Sequence, residues 1–307
     1  MSNKKRSTGG GRFDPNEQPL YFISGGSRDL EAAGQHHDTR LIAVNALTNV
    51  TDRAIIEQCF VRRQRVLLDS GIFALCMEYA QAKEIPLHEA FRLAPEQIDG
   101  FDTLQAAYIR VVREFEDRLW GYVELDQGGM ENKIRTRRRL ESMGLRPIPV
   151  YHVLLDPADY LDQLVNEYDR ICIGNLVQAP REVRLPILAA LWEHKRRHPG
   201  VWFHLLGYTP DELLNAYYFE SADSSTFLSS MRWGRMYDRA LNRAFDLRRG
   251  FVPGLTAEGV ATDSPGGRTR AQVLAGFIAA SQERTWRLSV NRCTQLGLHP
   301  ERERQES

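Results

Sequence analysis

The chain has 307 residues, and its 40 Lys plus Arg balance 40 Asp plus Glu, so no net charge draws the whole molecule to nucleic acid or to a membrane surface. Hydrophobic residues make up 42%, enough for a large core, yet no run of about 18 apolar residues exists to span a bilayer. Cys59, Cys76, Cys172 and Cys293 lie far apart with no CxxC pair, and the histidines form no HExxH, which fits buried thiols in a reducing compartment and gives no metal site.

Residues 1–16 are basic and glycine-rich without an apolar centre, which reads as a disordered tail rather than a secretion signal. Short β-prone runs then alternate with longer segments. Residues 20–24 run into Gly25-Gly26-Ser27, 41–44 end near Asn45, and 65–68 end at Asp69-Ser70-Gly71. Residues 122–125 end at Asp126-Gln127-Gly128-Gly129, and 148–152 follow. Residues 170–173 end at Gly174-Asn175, 201–206 end at Gly207, and 216–219 lead into a hydroxyl-rich loop that carries Asp223.

Between these runs the helix signals are plain in several places. Residues 159–167 follow an Asp-Pro start, and Thr209-Pro210-Asp211-Glu212 supplies an N-cap, a first-turn proline and first-turn acids. Residues 185–197 end in Lys195-Arg196-Arg197, which suits a helix C-terminus. The stretch 73–120 is longer than one helix and predicts two or three, broken near Pro86 and Pro95. A loop at 262–267, a helix at 271–288 and a polar tail at 300–307 close the chain.

Eight strand–helix units predict an α/β fold, a (β/α)8 TIM-type barrel with a helical insertion after the Asp69 strand and a C-terminal helical extension. The expected divisions are a tail at 1–16, a catalytic barrel at 17–248 and the extension with its tail at 249–307. A doubly wound open sheet is the runner-up, although no GxGxxG follows the first strand. In a barrel, functional groups gather at the C-terminal ends of the strands. Asp69, Asp126 and Asp223 all fall there, and so do Gly174-Asn175 and Gly207. Aspartate is also a good helix cap, and each one alone reads that way. Three carboxylates converging on one cleft are costly for stability and useful for catalysis, which points to an active site.

These motifs resemble the queuine/archaeosine tRNA-guanine transglycosylases and their DNA-acting relatives, which insert 7-deazaguanines. Asp69-Ser70-Gly71-Ile72-Phe73 is similar to that family's Asp-Ser-Gly strand end, and Asp126 to its base-reading aspartate. Gly174-Asn175-Leu176-Val177 is similar to its Gly-Gly-Leu-Ala-Val loop, and His204-Leu205-Leu206-Gly207 to its His-Leu-Leu-Gly strand. Ala222-Asp223-Ser224-Ser225-Thr226-Phe227 resembles the nucleophile motif of the archaeal branch. The matches keep the family's order and span residues 69 to 227. The chain departs from the family in three ways: the CxC…CxxC…His zinc segment has no counterpart, His152 falls near the place of a base-reading glutamine, and Asn175 replaces a glycine. A zinc-free relative looks most like the phage DNA-guanine transglycosylases, which exchange guanine in DNA for a 7-deazaguanine such as preQ0; tRNA stays open as the acceptor.

The resemblance implies a retaining double displacement without a cofactor or metal. Asp223 would be the nucleophile and Asp69 the general acid and base. Asp126 would read the base, with Ser70, Gly71, Phe73, His152, Gly174, Asn175, Leu206 and Gly207 around it; Phe73 and Tyr151 are aromatics that could stack on a flipped base or pack in the core. The target base must be flipped out or single-stranded, so cations should flank the mouth. Candidates are Lys133, Arg135, Arg137, Arg138 and Arg139, then Arg232, Trp233, Arg235 and Arg239, against the plain reading of solvated helix faces. The expected partners are DNA or tRNA and a deazaguanine base, with no membrane and with room for a helper subunit or a homodimer. The expected location is the cytoplasm of a bacterial or phage-infected cell. Two other classes stay open: a Mg²⁺- or Mn²⁺-dependent barrel hydrolase, and an inactive nucleic-acid-binding relative.

Overall fold

A computed structural model describes residues 5–25, 37–47, 50–209, 214, 216–228, 235–238, 243–246 and 270–297. Eight strands form one sheet: β1 (Leu20–Ser24), β2 (Thr39–Ala43), β3 (Arg65–Asp69), β4 (Gly121–Tyr122), β5 (Val150–His152), β6 (Arg170–Gly174), β7 (Trp202–Leu205) and β8 (Ser221–Ser224). Their order is β4-β3-β2-β1-β8-β7-β6-β5, and every pairing is parallel. The first and last strands in sequence are therefore neighbours, and the sheet curls. At its two ends Val123 and Ile148 form a parallel bridge. There Ile148 N–H donates to Tyr122 O at 2.8 Å and Glu124 N–H to Ile148 O at 3.0 Å. A separate antiparallel pair, β9 (Arg235–Asp238) and β10 (Arg243–Asp246), follows.

The helices are α1 (Val50–Val61), α2 (Ile72–Lys83), the single turn α3 (Leu87–Ala90), α4 (Phe101–Phe115), α5 (Gly129–Ser142), α6 (Ala158–Glu167), α7 (Arg181–Arg197) and α8 (Arg270–Gln295). The expected insertion after the Asp69 strand is α2, α3 and α4, with Pro86 and Pro95 at its breaks. Successive strand residues point to opposite faces, and both faces here are apolar. Tyr21, Ile23, Val66, Leu68, Ile171 and Phe203 pack outward against the helices. Phe22, Leu41, Leu67, Val150, Cys172 and Trp202 form a second, inner cluster. This double burial is what a parallel sheet demands, and it makes its strands read as continuous apolar runs.

One expectation about the termini needs correction. From residue 5 onward the segment expected as a disordered tail is packed against the sheet. Phe13 lies edge-on to Trp120 at 5.4 Å and to Trp202 at 5.5 Å. The physical reason is Arg170, only 1% exposed, whose guanidinium stacks over Phe13 at 3.9 Å. A buried cation needs acceptors, and Arg170 donates to Thr8 O at 2.9 Å and to Gly9 O besides Trp120 O. At the other end, the expected C-terminal helix is α8, and it packs on the main core. Ala275 and Ala279 are fully buried in it, Trp286 stacks on Tyr21 at 6.3 Å, and Glu283 pairs with His37. The expected loop at 262–267 and tail at 300–307 lie outside the described residues, as does most of the helix expected from Thr209 onward.

Two strands are displaced from their expected positions. The Asp126 run pairs only at Gly121–Tyr122, because Val123 and Glu124 turn to the bridge with Ile148. The last strand is Ser221–Ser224, not 216–219, so Asp223 lies within β8 and not in the loop after it. All four residues of β8 are buried although three are polar. Hydropathy misses such a strand because its inward positions are satisfied by hydrogen bonds rather than by apolar packing.

Candidate active site

Asp69 is the last residue of β3, and its Oδ2 accepts the Gly71 N–H at 3.1 Å. Gly71 caps α2 at φ 82, the left-handed region that favours glycine, and a Cβ there would stand 3.1 Å from Asn45. Asn45 in turn donates to Gly71 O at 3.3 Å. Ser70 is buried beside it, with its hydroxyl donating to Asp126 Oδ1 at 3.2 Å. These contacts make the Asp-Ser-Gly turn rigid.

Asp126 follows β4 and is held on both oxygens, Oδ1 by Ser70 and Oδ2 by His152 Nε2 at 2.8 Å. The next residue, Gln127, is fully buried and ties this loop to the insertion. It donates to Ala90 O and Leu93 O, each at 2.8 Å, and accepts the Cys76 thiol. His152 projects inward from the end of β5, and its ring lies against Gly174 on β6. A Cβ at Gly174 would meet His152 Cδ2 at 2.5 Å, so only glycine leaves room for this ring. His152 Nδ1 is buried without a partner among the described residues. Asn175 adopts the left-handed region at φ 63, which asparagine tolerates better than most residues, so its replacement of a glycine keeps the turn.

Asp223 points inward from β8 and is 4% exposed. Its Oδ1 accepts the Gly207 N–H at 2.8 Å and faces His204 Nε2 at 3.2 Å. Among the described residues nothing donates to Oδ2. Gly207 has φ 68, a turn that brings its amide back over the strand end. Leu206 packs on the inner cluster and donates its N–H to Ile173 O at 2.9 Å. Beside β8, the Thr209, Ser224 and Thr226 hydroxyls form a closed set of hydrogen bonds at 2.7–2.9 Å.

Two of the carboxylates act on the third. Burial pushes the Asp69 carboxyl up to about 7, and the negative charges of Asp126 and Asp223 push the same way, against the Gly71 amide. Burial also presses Asp126 upward, but the hydrogen bond and charge of His152, with Lys133 behind them, hold it below its ordinary value. Cys172, on the inner face of β6, feels all three charges. Asp69, Asp126 and Asp223, the carboxylates expected at one cleft, lie near enough for the charges of the last two to act on the first.

The sign of the pH dependence follows. A carboxyl raised from 3.8 to about 7 keeps its proton in the folded chain where the unfolded chain has lost it. Stability therefore falls as pH rises from about 4 through about 7. Asp69→Asn keeps an acceptor for Gly71 and carries no charge. Denaturant titrations should show it more stable than the parent at pH 8, by an amount on the order of 2 kcal/mol, with the gap closing toward pH 4. An equal gap at both pH values would mean that Asp69 titrates normally.

The remaining expected residues divide. Phe73 is 50% exposed on the first turn of α2, 6.1 Å from Phe91, whose ring lies 6.4 Å from His152. Tyr151 packs in the outer core. Of the expected cations, Arg137 and Lys133 are corrected. Arg137 is buried, with Nη1 donating to Glu124 at 2.6 Å and to Tyr160 OH at 3.0 Å. Lys133 is buried against Asp156 and Val150 O. Arg135 pairs with Glu96 at 2.5 Å, and Arg138 and Arg139 are exposed. A helix rises about 1.5 Å per residue, so α5 carries these side chains progressively away from the Asp126 loop. Arg232, Trp233 and Arg239 lie outside the described residues, and of Arg235 only the backbone in β9 is described. His204, Asn45, Gln127 and Phe91 were missed as site residues. His204 stood in a matched motif, and its inward parity on β7 was the signal that could have found it.

Among the described residues, no group of three or more His, Cys, Asp or Glu side chains is arranged to hold a metal ion, and no helix is long and apolar enough to cross a membrane. Fold and site together define an α/β protein whose curled parallel sheet carries a three-carboxylate cluster at the strand ends. A scan against known protein families finds no family model that matches the chain, and a search of curated proteins finds no significant match.

Proposed function

We propose that this chain is a retaining base-exchange transglycosylase that replaces guanine in a polynucleotide, DNA in the first instance, with a 7-deazaguanine such as preQ0. The observation that carries this reading is the division of labour between two coupled carboxyls. Burial and two neighbouring carboxylates push the Asp69 carboxyl up to about 7, while Asp223 has one oxygen pinned and the other without a donor among the described residues. A group titrating near the working pH can both give and take a proton. A carboxylate with a free oxygen can attack an oxocarbenium-like carbon.

In the proposed sequence Asp223 Oδ2 attacks C1′ as the bond to guanine N9 breaks, and Asp69 gives guanine its proton. The incoming base then loses a proton to Asp69 and attacks C1′ as the ester to Asp223 breaks. Two inversions keep the β configuration. The Asp126 oxygens, each with a lone pair beyond its present bond, would accept the N1–H and 2-amino hydrogens of the guanine edge. Backbone N–H groups near Gly174 and Asn175 would face the O6 side, and Phe73 with Phe91 offers a stacking surface. The bridge between Val123 and Ile148 supports closure of the sheet into a full (β/α)8 barrel.

DNA rather than tRNA rests on the resemblance, because the zinc segment of the tRNA enzymes has no counterpart. A helper subunit or a second copy would supply polynucleotide contacts that the buried Arg137 and Lys133 do not. Action on DNA would place the chain in the cytoplasm. The test is to incubate the protein with radiolabelled guanine and either duplex DNA or tRNA, and to follow label into polymer. Label in DNA is the expected result. Label in tRNA alone moves the acceptor, and label in neither removes the reading.

A further inference from the structure

Asp223 is held by a buried relay whose direction is fixed by chemistry. Trp202 Nε1 lies 2.7 Å from Ser221 Oγ, Ser221 Oγ lies 2.9 Å from His204 Nδ1, and His204 Nε2 lies 3.2 Å from Asp223 Oδ1. Trp202, Ser221 and His204 are each no more than 2% exposed. An indole N–H only donates, so it occupies a lone pair of Ser221 Oγ and leaves the hydroxyl hydrogen to find an acceptor. The neighbouring acceptor is His204 Nδ1. A ring that accepts at Nδ1 carries its proton on Nε2, where it donates to the carboxylate. The opposite tautomer would set a ring lone pair against Asp223 and two donors on Ser221, leaving the buried hydroxyl hydrogen with no acceptor. Phe22 packs edge-on to the ring at 5.6 Å, which holds its plane.

We infer that His204 is a positioning residue for Asp223, wired by Trp202 and Ser221 as a one-way donor that pins Oδ1 together with the Gly207 amide and leaves Oδ2 as the reacting oxygen. The logic is that of a histidine held in one tautomer by the hydrogen bond on its other nitrogen. Here, however, Ser221 is fully buried and serves as the orienter, not as a nucleophile. His204's part in the reaction rests on the transglycosylase reading; its wiring does not.

Two measurements separate the two. In ¹⁵N-histidine-labelled full chain at pH 7, the His204 ring, identified by the signal lost in His204→Gln, should be neutral with its proton on Nε2. Ser221→Ala should shift the Nδ1 resonance, which loses its donor, while Asp223 still holds the proton on Nε2. An Nδ1–H ring or a doubly protonated ring in the parent overturns the inference, whatever the enzyme does. In the guanine-exchange assay, His204→Phe should lower kcat by about tenfold to a hundredfold with KM within about twofold. His204→Gln, whose amide can still donate, should recover part of that loss. Parent-like kcat in His204→Phe also overturns the inference while the transglycosylase reading survives. If the parent exchanges no base, that reading falls and the ring tautomer alone decides.

Discussion

Asp223→Asn is expected to abolish base exchange, by about 10⁴-fold or more, while leaving the fold intact. The amide oxygen must take the place of Oδ1, because the Gly207 N–H and His204 both point at it. That forces the NH₂ group into the position of Oδ2, where it has no lone pair to offer C1′. The substitution thus removes the nucleophile without orphaning either buried donor. Trapping with substrate followed by denaturation should give a polynucleotide–protein adduct for the parent and none for the variant. Midpoints of denaturation should agree within the range of ordinary surface changes, about 0.5 kcal/mol. Exchange within tenfold of the parent would show that Asp223 is not the attacking group.

The largest expected effect on stability belongs to Arg137, a residue whose surroundings in sequence suggested phosphate contact. Arg137→Met should destabilise the chain by about 3–5 kcal/mol, the cost of stranding a buried partner charge. That partner is Glu124, which burial drives up and which Arg137 and Lys133 pull back. Arg137 also holds Tyr160 and Tyr168 at 3.0 and 3.1 Å, so α5, α6 and the end of β4 lose a common tie. Adding Glu124→Gln should return part of the loss, because no unpaired carboxylate then remains. Urea titration measures both. A loss below about 1 kcal/mol, together with a shallower salt dependence of DNA binding, would instead make Arg137 a phosphate contact.

Periodicity located the sheet well where strands are apolar on both faces. Residues 20–24 and 170–173 read correctly because a parallel sheet covered by helices buries both faces and makes the strand interiors apolar. It failed at β8, where Ser221 and Asp223 point inward and are satisfied by Trp202, His204 and Gly207. No local pattern distinguishes such a strand from a polar loop. The same limit hid the role of residues 5–17, whose carbonyls answer a cation at residue 170, and it made the residues from 133 to 139 look like one basic surface. Alternation along α5 sends Lys133 and Arg137 to the core and leaves Arg138 and Arg139 in water.

By itself, the sequence determined that Asp69 closes a strand at an Asp-Ser-Gly turn, because strand length and turn residues are local properties of the chain. Partnership was decided only by the tertiary structure. Asp126 is committed to His152 and Ser70 and Asp223 to His204 and Gly207, while burial beside those two carboxylates pushes the Asp69 carboxyl up to about 7. Burial and the field of neighbouring charges set those states, and both depend on groups that meet only when the sheet curls.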